Sequence, residues 1–84
     1  MCPRSFQPDP SLATLGKAVK VIRKEKGMTQ EQLAERAGTH ITYVGRIERG
    51  ERNLTWTALS RICEGLQIKR SALVRRVEEI EDRP

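Results

Sequence analysis

Side chains capable of covalent or metal chemistry are scarce in this chain of 84 residues. There is one histidine, His40, and there are two cysteines, Cys2 and Cys63. These are too few for a zinc or iron–sulfur site of the usual ligand count. No serine–histidine–aspartate set for acyl transfer and no phosphate-cradling glycine loop is evident. The glutamates fall on helix faces expected to be solvated. The sequence therefore predicts no enzyme, no cofactor and no metal. Cys63 sits in an apolar pattern and reads as a small core residue, and a reducing cytosol disfavours a Cys2–Cys63 disulfide.

Positive charge is plentiful instead. Sixteen Lys and Arg stand against 11 Asp and Glu, a net charge of +5. The balance is uneven: residues 1–77 hold 15 basic and 7 acidic side chains, and residues 78–84 hold one and four. A basic body with an acidic end suits a polyanionic partner, nucleic acid first, although the same balance also serves plain solubility. The apolar fraction of 37% and charged fraction of 32% describe a soluble globular chain. Its length predicts one small domain, with a modest core that a second copy would help to stabilise. The longest uncharged apolar run falls far short of the roughly 18–20 residues of a membrane span. The start, Met1-Cys2-Pro3-Arg4-Ser5, lacks the apolar centre of a signal peptide. The expected compartment is the cytoplasm, with no membrane partner.

Helical periodicity organises the rest. Residues 1–10 carry three prolines and read as a flexible arm. Asp9-Pro10 has the form of a helix entrance. Leu12, Leu15, Val19 and Ile22 then mark a first helix, about residues 10–26, with Gly27 as its stop. Thr29 and Gln32 fit a capping box for a short second helix. That helix buries Leu33, Ala34 and Ala37 and ends at Gly38. Thr39 is a candidate cap for a third helix, with Val44 and Ile47 facing inward and Gly50 at its end. Thr55 caps a fourth, holding Leu59, Ile62, Cys63 and Leu66, with Gly65 and Gln67 breaking the pattern. A fifth, about residues 69–81, shows Leu73, Val77 and Ile80. No segment reads as a strand. The predicted fold is all-α: a flexible arm over 1–10 and a single compact five-helix domain over 11–81.

The stretch Gln30–Gly50 is the most informative. A helix of about eight residues, a glycine turn and a helix of about ten match helix-turn-helix spacing. That motif needs a small residue at Ala34, a permissive one at Gly38, and apolar locks at Val44 and Ile47. The expected helix-turn-helix spans about 29–50.

Gln30-Glu31-Gln32-Leu33-Ala34-Glu35-Arg36-Ala37-Gly38, followed by Tyr43-Val44-Gly45-Arg46-Ile47-Glu48-Arg49-Gly50, resembles the lambda-repressor/Cro-type helix-turn-helix family. Ile22 to Gln30 and Leu59 to Leu66 match it too, so the resemblance covers about residues 12–77. It implies a domain that binds operator DNA as a two-fold dimer, with the third helix in the major groove. Residue by residue, it implies His40, Ile41, Thr42 and Arg46 as base-facing. Arg46 is the strongest candidate for direct readout, because its planar fork can take O6 and N7 of guanine together. Ile41 departs from the polar residue commonest there and suits a thymine methyl. The resemblance also implies phosphate contacts at Gln30, Tyr43, Arg49, Arg52 and Asn53, which position the protein without reading sequence. It implies a buried or half-buried structural ion pair, Arg23–Glu48, between the first and third helices. Leu73, Val74 and Val77 form a candidate dimer surface, unless all three pack inside the monomer.

Thr42-Tyr43-Val44, Ile47-Glu48-Arg49 and Arg52-Asn53-Leu54-Thr55 are similar to the controller proteins of restriction–modification systems. What the resemblance implies is therefore a transcriptional regulator, repressor or activator, acting as a homodimer on a pseudo-palindromic operator. Its partners would be double-stranded DNA, a second copy, and RNA polymerase as a further candidate. An antitoxin-type protein-binding module with autoregulatory DNA binding is the alternative. It is disfavoured because the only spare segments, residues 1–10 and 78–84, are short.

Overall fold

The computed structural model describes residues 9–82. Arg4 and most of the expected arm lie outside the described residues. The elements are α1 (Pro10–Glu25), α2 (Gln30–Ala37), α3 (Ile41–Glu48), α4 (Trp56–Leu66) and α5 (Arg70–Glu81), with no strand among the described residues.

Local chemistry sets most of the boundaries. Asp9 accepts a hydrogen bond from the Ser11 backbone N–H at 2.8 Å, and Pro10 takes the first helical position of α1. Thr29 and Gln32 close a reciprocal capping box at 3.0 and 2.9 Å, which starts α2. Gly38 ends α2 at φ +70°, a left-handed conformation that glycine adopts without a Cβ clash. Thr55 caps α4 by accepting from the Ala58 N–H at 3.1 Å.

Two boundaries differ from the sequence expectation. The N-cap of α3 is His40 and not Thr39. The Thr39 N–H instead donates to the Ala34 carbonyl at 2.8 Å and closes the end of α2, so helix geometry begins one residue later. Gly65 does not break α4 but lies buried within it, where a Cβ would come 2.9 Å from the Leu33 side chain and 3.1 Å from the Ala37 backbone. The break falls at Gln67, which adopts φ 60°.

α2 packs on α4 and α3, and α1 packs on α3 and α5. Leu33, Val44, Ile47, Ile62, Leu66 and Leu73 are all essentially inaccessible to solvent and form the core. Each such side chain contributes on the order of 1.5–3 kcal/mol through burial. Cys63 is a free thiol inside this core; burial pushes its pKa up, against a smaller opposite pull from the Arg70 charge. Arg76 of α5 pairs with Glu25 of α1 at 2.9 Å and ties the two together.

α1 approaches the last turn of α3 at backbone distance. A Cβ on Gly16 would lie 2.2 Å from the Ile47 carbonyl oxygen and 2.7 Å from that of Glu48. Neither backbone atom can give way as a side chain could. Gly16→Ala is therefore expected to cost about 1–3 kcal/mol through overpacking. Urea unfolding checks this: the midpoint should fall with the slope unchanged, and a wild-type midpoint would mean that α1 and α3 sit farther apart.

Candidate nucleic-acid interface

α3 has two distinct sides. Val44, Ile47 and Glu48 are buried against the scaffold. Ile41, Thr42 and Arg46 are exposed, and Ile41 retains 44% of its surface. Thr42 and Arg46 are four residues apart and share one outward face. His40, at the N-cap, is exposed and makes no side-chain capping bond. Gly45 lies in the same turn, under the Arg49 guanidinium.

A buried polar network holds this helix. Arg23 donates from Nε to Glu48 Oε2 at 2.6 Å and from Nη2 to Oε1 at 3.2 Å. Its Nη1 donates to the Met28 carbonyl at 2.7 Å. Gln30 Nε2 donates to Glu48 Oε1 at 2.9 Å. One carboxylate thus joins α1, the α1–α2 turn, the start of α2 and the inner side of α3. No buried side-chain polar atom among the described residues lacks a partner.

The Gln30 side chain is therefore engaged inside the protein. Arg49 is engaged as well: its Nε and Nη2 donate to the Glu51 carboxylate at 3.1 and 3.3 Å, on the surface. Such an exposed pair is worth at most about 1 kcal/mol, so a phosphate can replace Glu51. The sequence reading missed Glu51 because residues two apart do not face each other on a helix. Here α3 has ended at Glu48, so both residues lie beyond its last turn.

Beside α3 lies a cleft of about 370 Å³ lined by Thr39, Tyr43, Arg52, Thr55 and Arg61, among others. The Arg52 guanidinium sits 5.1 Å from the Tyr43 ring centroid, a cation–π distance. Two cationic forks and several hydroxyls converge there, a donor set matched to a phosphodiester. Arg61 was not among the sequence candidates; it lies on the outer face of α4, and only the fold carries it to this cleft. Asn53 is exposed and turns toward a separate groove lined by Leu12, Leu54, Leu59 and Val77.

The proposed dimer surface requires a correction. Leu73 is completely buried in the monomer, because it is the residue of α5 that points into the core. It is unavailable to a second copy. Val74 remains 47% exposed, and Val77 is half-buried. Among the described residues no group of three or more His, Cys, Asp or Glu could hold a metal, and no helix is long and apolar enough to cross a membrane.

A short helix crossing a second one, with the outer face of that second helix free, is the arrangement of a helix-turn-helix. A helix-turn-helix family model matches residues 19–73, and the chain belongs to that family. It is 41% identical over 61 residues to the immunity repressor protein of Bacillus phage phi105, covering 73% of this chain and 42% of the repressor. It is 42% identical over 52 residues to control protein C.SmaI of Serratia marcescens, covering 62% of each. The chain thus spans less than two thirds of either relative. The restriction–modification controller protein C.Esp1396I superimposes with a TM-score of 0.85 at 34% identity, over 90% of this chain and 97% of that one. The same controller, as a tetramer in complex with its natural 35-base-pair operator, superimposes with a TM-score of 0.80 at 37% identity, over 84% of this chain and 93% of that one.

Proposed function

We propose that this protein is a sequence-specific regulator of transcription that binds double-stranded DNA as a homodimer, of the restriction–modification controller type. The observation that carries this reading is the division of α3. Its inner face is fixed by the core and by Arg23–Glu48, and its outer face presents Ile41, Thr42 and Arg46 unencumbered.

In this reading α3 enters the major groove. Arg46 takes a guanine edge, Thr42 a base edge or phosphate, and Ile41 a thymine methyl. His40 stands at the groove margin. Tyr43, Arg49 and Arg52, with Arg61, lie against the sugar–phosphate backbone and supply salt-dependent affinity. Gln30 acts through its position at the start of α2, where backbone N–H groups favour an anion, since its side chain holds Glu48. Control is exerted by occupancy of the operator and not by catalysis. The working compartment is the cytoplasm, and RNA polymerase is a further partner where the operator adjoins a promoter.

Amide chemical-shift mapping with a generic duplex at low salt tests the location of the surface. Shifts should concentrate in residues 39–55 and near Arg61. Shifts confined to α5, or none at all, would overturn the reading.

A further inference from the structure

The end of α3 fixes a carboxylate beside its outer face. Gly50 adopts φ +76°, a left-handed conformation that turns the chain back on the helix. The Gly50 N–H donates to the Ile47 carbonyl at 3.0 Å, and the Glu51 N–H donates to the Arg46 carbonyl at 2.9 Å. This pair of bonds is a Schellman motif, and it holds the Glu51 backbone against the last turn of α3. Glu51 is thereby set next to Arg49, whose Nε and Nη2 donate to its two carboxylate oxygens at 3.1 and 3.3 Å. The Arg49 guanidinium also uses the space over Gly45, where a Cβ would come 3.2 Å from Nη1. Arg49 is thus folded back along α3 and clamped by a carboxylate, although both side chains remain more than half exposed.

The charge around this clamp is one-sided. From Thr39 to Arg61 the chain carries four arginines and two glutamates. Glu48 is buried with Arg23, so Glu51 is the one carboxylate exposed on this stretch. An exposed ion pair adds little to stability, so folding alone gives Glu51 little to do. What it presents to Arg49 is what a phosphodiester would present: two anionic oxygens spaced for a planar fork. Arg46, Arg52 and Arg61 form no ion pair among the described residues. Of the four arginines, Arg49 alone is held this way.

We propose that Glu51 occupies Arg49 as an internal stand-in for a phosphate and thereby sets specificity, weakening binding to unrelated duplexes more than binding to the recognised site. This rests on the DNA-binding reading above and adds a specificity-determining residue to it. Specificity is a difference between two affinities, and weakening the wrong complex raises it as surely as strengthening the right one. On an unrelated duplex the protein is held by loose phosphate contacts, and Glu51 keeps Arg49. On the recognised site Arg46 fixes the depth and register of α3, and a phosphate held in one place displaces Glu51 from the fork.

Glu51→Gln keeps the side-chain size and the backbone N–H and removes the charge. Fluorescence anisotropy with a mixed-sequence duplex should show binding tightened about two- to fivefold, with a salt slope steeper by up to about one. With the duplex recovered by selection from a random pool the gain should be smaller, so the ratio of the two affinities falls. Removing any acidic charge near DNA favours binding, and a double-mutant cycle separates that general effect from the clamp. In an Arg49→Gln background, Glu51→Gln should lose most of its effect. Equal tightening on both duplexes, no tightening on either, or an effect that persists in full without Arg49 overturns the clamp and leaves the regulator standing. Wild-type protein that fails to distinguish the selected duplex from a scrambled one, or that selects none, overturns the regulator reading itself.

Discussion

Arg23→Ala is expected to remove about 3–5 kcal/mol of folding stability, because it leaves the Glu48 carboxylate buried without its counter-charge. Arg23 is 7% exposed and Glu48 9%. The variant also strips the Met28 carbonyl of its 2.7 Å donor and leaves Glu48 with Gln30 as its remaining side-chain partner. A domain of this size holds only about 0.05–0.15 kcal/mol per residue in total, so the loss takes a large part of the whole. Calorimetry should show the melting temperature falling by more than about 10 °C. A double variant, Arg23→Leu/Glu48→Met, removes both charges and should be less destabilised than Arg23→Ala alone. Any loss of DNA binding in Arg23→Ala should then track the unfolded fraction. An unchanged melting temperature with binding abolished would make Arg23 a DNA contact and would contradict the network.

Arg46→Ala is expected to do the opposite: little to stability, much to recognition. Its side chain is exposed, and its backbone carbonyl keeps the hydrogen bond from the Glu51 N–H at 2.9 Å. If Arg46 reads a guanine through both acceptors, its loss costs about 1–3 kcal/mol of discrimination, roughly five- to 150-fold at that base pair. Affinity for unrelated duplexes should fall only slightly. A uniform loss across all sequences, with the salt slope reduced by about one, would instead mean a phosphate contact. Fluorescence anisotropy with the recognised site and with a scrambled duplex separates the two at fixed salt.

These two arginines differ in how legible they were. Helix ends were read from sequence because caps act over three or four residues: Asp9–Ser11, Thr29–Gln32 and Thr55–Ala58 each close a bond within one turn. The inward positions Leu33, Val44, Ile47 and Leu66 followed from period alone. The partnership of Arg23 and Glu48, 25 residues apart, did not. No local pattern says that a charge will be buried, and only the resemblance to a helix-turn-helix family suggested it. Gly16 and Gly65 were not recognised as close-approach sites, because closeness between helices is a property of packing. The inward turn of Leu73 is hidden in the sequence for a related reason. An apolar run on a terminal helix does not reveal which of its residues turns inward. Arg61 acquires its role only when the chain folds back on α3, and Glu51 meets Arg49 only because the helix has ended at Glu48.

Selection of bound sequences from a random double-stranded DNA pool, at near-physiological salt with competitor DNA, most directly tests whether a paired α3 reads sequence. Recovery of a two-fold symmetric motif, with half-sites about one helical turn apart, is the predicted result. Recovery of no motif, with binding that simply fades as salt rises, would contradict it and leave only a generic affinity for polyanions.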